Sequence, residues 1–288
     1  MLIQCGRFEL LLERPLVMGI VNVTPDSFSD GGRFAAADDA IAHARSLISE
    51  GADILDIGGE STRPGAEPVD AAQEWRRIAP VLEALAGSGV PLSVDTRHAA
   101  VMRKALDLGA DMINDVHGFL GDGAVDAVAG SSAALCVMHM RGDPRTMQKA
   151  PVYADVVDEV LGFLRSRVQV LRDAGVCAAR LLVDPGIGFG KTLDDNLALL
   201  AASARFAQLA PVLVGVSRKS MIGQLTGQAM HDRLAGSIAG ALAAVAHGAS
   251  VVRVHDVAAT RAALAVWSAI DDAARQASTC KAGEPARK

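Results

Sequence analysis

The sequence predicts an α/β protein built as a single (β/α)8 TIM barrel with long loops after strands one and two. Short β-branched and Leu-rich runs alternate with longer Ala-rich amphipathic stretches along the 288 residues. That alternation is the mark of βα units around a parallel sheet. The runs are continuously apolar rather than alternating, as expected of strands covered on both faces. An open doubly wound sheet is the competing architecture, but a G-x-G-x-x-G after the first strand is absent.

The elements follow in order. Leu16–Val21 (LVMGIV) is the first strand, followed by a long loop and a helix over Asp38–Glu50. Ile54–Ile57 is the second strand, with a helix over Ala71–Ala86. Leu92–Val94 precedes a helix over Thr96–Leu108, and Met112–Asp115 is the fourth strand. Leu135–Met138 leads to a helix over Tyr153–Ala174, and Leu181–Val183 is the sixth strand. Val212–Val216 and Val251–Val254 complete the barrel, with a helix over Arg233–His247 between them. A partial repeat supports this layout: GADILDIGGE (51–60), GADMINDVHG (109–118) and GASVVRVHDV (248–257). In each, a Gly caps a helix, a strand follows, and a polar residue stands five after the Gly: Asp56, Asn114, Arg253.

Composition narrows the function. The formal net charge of −5 argues against a nucleic-acid binder held by bulk charge. Cys5, Cys136, Cys177 and Cys280 are far apart, form no C-x-x-C pair and read as reduced thiols of a cytoplasmic protein. Arg7, Glu9, Glu13 and Arg14 interrupt the N-terminal apolar runs, so no signal peptide is expected. No run reaches the roughly 18 apolar residues of a membrane span. Residues 1–275 are expected to form one domain and 276–288 a disordered tail.

Polar residues gather where strands end, the place of barrel active sites. The first loop, in GIVNVTPDSFSDGGRF (19–34), crowds Asn22, Thr24, Asp26, Ser27, Ser29 and Asp30 around Phe28. A mere connector is about 2–6 residues. Later strands contribute Asp56, Asp95, Asn114, Asp115, His139, Arg141, Asp184, Lys219, Arg253 and His255. Singly, an Asp before a helix is an N-cap and an Asn a turn former. Together, Asp95, Asn114 and Asp184 suit a flat nitrogen heterocycle with several N–H donors. Lys219 can donate to a ring carbonyl. Arg253, His255 and the N-terminus of the last helix can hold an anion. Asn22 offers a neutral oxygen to a largely hydrated Mg2+.

Seven blocks now stand in order: VNVTPDSFSDGG, DIGGESTRPGA, SVDT, INDV, VDPGIGFGKT, GVSRKS and RVHDV. The set resembles that of the dihydropteroate synthase family of folate biosynthesis, over Gly19 to Val257. The resemblance implies condensation of 6-hydroxymethyl-7,8-dihydropterin pyrophosphate with p-aminobenzoate, by Mg2+-assisted SN1-like displacement, giving 7,8-dihydropteroate and pyrophosphate. It places the pterin on Asp95, Asn114, Asp184 and Lys219. Pyrophosphate falls to Asn22, Thr62, Arg63, Arg253 and His255, with Asn22 as the Mg2+ ligand. The p-aminobenzoate ring falls to Phe28, Thr62, Pro64, Phe189, Lys219 and Ser220. Asn22, Asp30, Lys219, Arg253 and His255 would be catalytic. The first two loops then read as lids, with Gly31-Gly32 as a hinge. Sulfonamides are expected competitors of p-aminobenzoate, and neither nucleic acid nor membrane is an expected partner.

Alternatives are a pterin-binding methyltransferase-type barrel, which has no use for a Mg2+–pyrophosphate lid, a Schiff-base aldolase using Lys219, and a non-catalytic pterin-binding protein. A homodimer is expected, because Leu234–Ala246 (LAGSIAGALAAVA) and Ala258–Ile270 are apolar more widely than outer barrel helices need.

Overall fold

The structure, a computed structural model, describes residues 1–23, 33–61, 65–142, 147 and 151–282. Phe28, Asp30, Thr62, Arg63, Pro64 and the Gly31-Gly32 pair lie outside the described residues. The chain opens with an antiparallel hairpin, β1 (Leu2–Cys5) and β2 (Phe8–Leu11). The barrel follows: β3 (Leu16–Asn22), α1 (Arg33–Ser49), β4 (Ile54–Gly58), α2 (Ala71–Leu85), β5 (Leu92–Asp95) and α3 (Ala99–Asp107). Next come β6 (Met112–Asp115), α4 (Ala124–Val128), β7 (Ala134–Met138), α5 (Val156–Asp173) and β8 (Leu181–Asp184). The last part holds α6 (Leu193–Ala201), α7 (Ser203–Phe206), β9 (Leu213–Val214), α8 (Ser220–Thr226), α9 (Leu234–Ala246), β10 (Val251–Val254) and α10 (Val257–Ala282).

The eight strands β3 to β10 pair in parallel in the order β8-β7-β6-β5-β4-β3-β10-β9. The ring closes where the Val183 N–H donates to the Pro211 carbonyl at 3.0 Å and Val183 bridges Val212. The repeat's glycines behave as helix terminators: Gly51, Gly109 and Gly248 have φ of 93°, 92° and 106°, where a side chain would be strained. Helix starts are capped locally. Asp70 accepts from the Gln73 N–H, Asp155 from the Asp158 N–H, and Thr192 and Asp195 form a reciprocal capping box.

Two cores result from the two faces of the sheet. The outer one lies between strands and helices, with Val17, Val21, Leu55, Ile57, Val94, Ile113 and Val183 buried against residues such as Leu47, Ile78, Met102 and Leu164. The inner one holds Met18, Ile54, Met112, Cys136, Leu182, Leu213 and Val251, closed from below by Ile3 and Cys5 of the hairpin. Full burial of each large aliphatic side chain contributes about 1.5–3 kcal/mol. The hairpin thus plugs the N-terminal end of the barrel. The sequence reading assigned it no element.

Several boundaries differ from expectation, among them the start of α1, at Arg33 rather than Asp38. The seventh strand, expected over Val212–Val216, is a strand only over Leu213–Val214, with a single bridge at Val212, because the chain turns where the Lys219 N–H reaches the Val216 carbonyl and Arg218 adopts φ 59°. The helix after β5 begins at Ala99, since Thr96 turns the chain by accepting the His98 N–H on its hydroxyl. Helix α10 continues to Ala282, into the stretch expected to be a disordered tail. Among the described residues, no helix is long and apolar enough to cross a membrane.

Candidate active site

Side chains two apart on a strand share a face. Ile54, Met112, Leu182 and Val251 point into the barrel, so Asp56, Asn114, Asp184 and Arg253 point the same way one layer higher. The interior is therefore apolar near the hairpin and polar near the C-terminal ends of the strands.

Asp56 is the hub of that polar layer. Fully buried, it accepts from Ser93 Oγ at 2.6 Å, Asn114 Nδ2 at 3.2 Å and Arg253 Nε at 2.5 Å. Arg253 Nη2 also donates to Asp95 Oδ2 at 2.9 Å. Burial works against the Arg253 charge, but Asp56 and Asp95 outweigh it and hold the guanidinium above its usual pKa. Burial pushes Asp95 up to about 7, with Asp56, Asp115 and Glu60 adding repulsion and Arg253 opposing. Asn114 Oδ1 is buried without a hydrogen-bond partner. Such an acceptor is costly unless a ligand donor meets it.

Asp184 closes the circle at the end of β8. Its Oδ1 accepts the Gly186 N–H at 2.7 Å, and burial raises its pKa against the pull of Lys219. Lys219 precedes α8 and donates to the Ile187 carbonyl, with its Nζ 4.6 Å from the centre of the Phe189 ring. Burial lowers its pKa to about 8, opposed by Asp184. The sequence-predicted pterin residues Asp95, Asn114, Asp184 and Lys219 therefore stand in one mouth, lined by carboxylate, amide and ammonium groups.

The rim carries the rest. Ser220 is exposed in the first turn of α8, beside Lys219. His255 follows β10, its Nδ1 3.0 Å from Ser217 Oγ. The N-terminus of α10 is less open to an anion than the sequence suggests. The Ala258 N–H already donates to Glu50, and the Asp256 carboxylate, paired with Arg218 at 2.6 Å, flanks it. Of the groups expected to hold an anion, Arg253 and His255 are thus the side chains at this rim, and that helix end is already engaged. Asn22 ends β3, half-buried and in register with Gly58. The segments flanking residues 62–64 are anchored: Arg97 forks onto Glu60 at 2.8 and 2.9 Å, Glu60 accepts the Val69 N–H, and Arg77 donates to the Gly59 carbonyl at 2.6 Å.

Residues 18–255 match the sequence profile of the family described as "Pterin binding enzyme". The dihydropteroate synthase of Neisseria meningitidis serogroup B is 53% identical, the alignment covering 93% of this chain and 96% of that one. The crystal structure of Burkholderia cenocepacia dihydropteroate synthase complexed with 7,8-dihydropteroate superposes with a TM-score of 0.88 at 55% identity, over 96% of this chain and 98% of that one. The Yersinia pestis dihydropteroate synthase in complex with a sulfonamide drug superposes with a TM-score of 0.89 at 44% identity, over 94% of this chain and all of that one (100%).

This chain belongs to the dihydropteroate synthase family of pterin-binding enzymes.

Within this dihydropteroate synthase framework, several contributors went unassigned at the level of sequence. Ser93, Ser217 and Glu60 lie inside SVDT, GVSRKS and DIGGESTRPGA, yet each shows its part only through a partner from another strand. Lys191 lies inside VDPGIGFGKT, yet nothing in that block says where its side chain turns. His139 and Arg141 were legible as strand-end residues without a role. His139 is buried, and the Arg141 guanidinium carbon lies 4.1 Å from the centre of the Tyr153 ring.

Proposed function

We propose that the polar mouth of the barrel binds 6-hydroxymethyl-7,8-dihydropterin pyrophosphate and joins its methylene carbon to the amine of p-aminobenzoate. The chain is an enzyme of the dihydropteroate synthase family, a transferase of folate biosynthesis. The observation that carries the substrate reading is Asn114 Oδ1, buried and without a partner beside the carboxylates of Asp56 and Asp95. A flat ring rich in N–H donors supplies what that acceptor lacks. Asp95 and Asp184 accept from the ring edge, and Lys219 donates to the ring carbonyl.

In the reaction, the C–O bond to pyrophosphate breaks and the pair of electrons leaves with pyrophosphate. The resulting methylene cation is delocalised into the dihydropterin ring, beside Asp95 and Asp184. The aryl amine nitrogen then forms the new C–N bond and gives up one proton to solvent or pyrophosphate. An aniline nitrogen needs no strong general base, so catalysis rests on positioning and on charge around the leaving group. Arg253 and His255 sit where they can hold pyrophosphate. Phe189, Lys219 and Ser220, with Phe28, Thr62 and Pro64, form the p-aminobenzoate side. Sulfonamides are its competitors.

Asn22 is the residue that would hold Mg2+, with Asp30 helping to handle the metal–pyrophosphate end. Among the described residues, no group of three or more His, Cys, Asp and Glu side chains could hold a metal ion. A single neutral amide oxygen suits a cation that keeps most of its water. When bound, Mg2+ supplies charge that neutralises the departing pyrophosphate. The reading extends to one domain over 1–275, a cytoplasmic setting and a homodimer. Positional isotope exchange in the pyrophosphate, with Mg2+ and without p-aminobenzoate, tests the order of bond breaking. Scrambling is expected, and none with bound substrate would refute early departure.

A further inference from the structure

We propose that Lys191, acting with His139, is a positioning residue for the arylamine side of the site: it sets the turn Gly186–Gly190 so that Phe189 and Lys219 meet in register. The inference rests on the p-aminobenzoate reading above and adds a residue that the reaction scheme does not use. Lys191 is 3% exposed and His139 7% exposed. Lysine is almost never buried so fully unless its donors are matched. Lys191 Nζ donates to the Phe189 carbonyl at 2.9 Å and the His139 carbonyl at 3.2 Å, and lies 3.0 Å from His139 Nδ1. Burial lowers the Lys191 pKa to about 7; in its ammonium form it can only donate, and His139 Nδ1 is then the acceptor.

These acceptors belong to two loops, one after β7 and one after β8. The loops are too close for a side chain at their crossing: a Cβ on Gly186, whose φ is +70°, would lie 1.9 Å from the His139 carbonyl oxygen. The His139 ring is itself clamped, edge-on to Phe163 at 5.0 Å between centroids. Tyr153 adds a second tie across the loops, its hydroxyl donating to the Gly190 carbonyl at 2.8 Å.

The turn is thus gripped by two lysines. Lys191 takes the Phe189 carbonyl, whereas Lys219 takes the Ile187 carbonyl and lies over the Phe189 ring. Loss of the Lys191 grip releases the Phe189 carbonyl, leaving that residue held through its N–H to Gly186, and the ring that faces Lys219 shifts with it. Of the pterin residues, Asp95 and Asn114, on β5 and β6, have no share in this turn, whereas Asp184 meets it at the Gly186 N–H and Lys219 at the Ile187 carbonyl.

The test is steady-state kinetics on full-length Lys191→Met, which keeps the stem and loses every donor. KM for p-aminobenzoate is expected to rise about tenfold or more, and KM for the pterin pyrophosphate, which feels the turn only through Asp184 and Lys219, by a clearly smaller factor. Lys191→Gln, which keeps two donors, is expected to fall between parent and Met, and it carries the test by the same criteria if Lys191→Met does not fold. A purely structural role would lower melting temperature and active fraction, hence kcat alone, with both KM values unchanged. That result, or equal rises in both KM values, overturns the proposal. A parent protein that shows no turnover with the two substrates would instead overturn the reading on which the proposal rests.

Discussion

Arg253 and Asp56 are 197 residues apart in the chain and 2.5 Å apart in the fold. Both stand five residues after a helix-ending glycine, at the same level of two different strands. Their pairing turns a weak sequence repeat into the central ion pair of the site, with Asn114, the third member of the repeat, donating to the same Asp56 oxygen.

Asp56→Asn is expected to damage stability, whereas Asp184→Asn damages binding. Asp56 is wholly buried and serves three donors, and removing one partner of a buried ion pair costs about 3–5 kcal/mol. Asp184 is proposed to accept from the pterin, and a lost hydrogen bond to a charged group costs about 1.5–3 kcal/mol. Urea unfolding and calorimetric titration of pterin separate the two. Equal losses of pterin affinity in folded variants would refute the assignment.

Pterin affinity should be bell-shaped in pH. Asp95, pushed up to about 7, accepts ring N–H groups on both oxygens and most strongly when ionised, so affinity rises with pH through that value. Lys219, lowered to about 8, donates best as the ammonium, so affinity falls again above it. Below pH 8, binding therefore releases protons from Asp95. Calorimetry in buffers of different ionisation enthalpy measures that release, and Asp95→Asn should abolish the acidic limb. An acidic limb that persists in this variant would remove Asp95 from the role.

The order of binding follows from the residues proposed for p-aminobenzoate. Phe28 and Pro64 belong to the first two loops, and ordering a loop costs roughly 1–2 kcal/mol per residue of backbone. Affinity for p-aminobenzoate is expected to be very weak in the empty enzyme and to rise strongly with Mg2+ and pyrophosphate bound. Phe28→Ala should weaken p-aminobenzoate and spare pterin. Equal affinities in the empty and loaded protein would mean that the pocket is preformed.

The outer face of the last two helices should join two copies of the chain. Leu234 is 42% exposed, Val266 62% and Ile270 66%, and α10 packs beside α9. Val266 and Ile270 lie one turn apart on one face of α10, an apolar strip of the kind that self-associates. Sedimentation at micromolar concentration should show a dimer, and Val266→Lys should shift it toward monomer. A monomeric parent protein would sink the idea.

What the sequence determined by itself is what depends on local pattern. Apolar runs of strand length, Ala-rich amphipathic stretches and terminating glycines place the barrel elements within a few residues, because burial on both faces leaves few other solutions. The polar residue five after each glycine was legible for the same reason, since strand parity sends it into the barrel. Tertiary structure alone decided the rest. The hairpin Leu2–Leu11 forms because the open end of the barrel needs a lid of Ile3 and Cys5, which no local signal announces. The seventh strand stops at Val214 because the chain turns toward Lys219. The buried grip of Lys191 on His139 and Phe189 joins loops of two different strands. A buried charge takes its partners from whatever the fold brings within hydrogen-bond reach, and that distance is a property of the closed barrel, not of the chain.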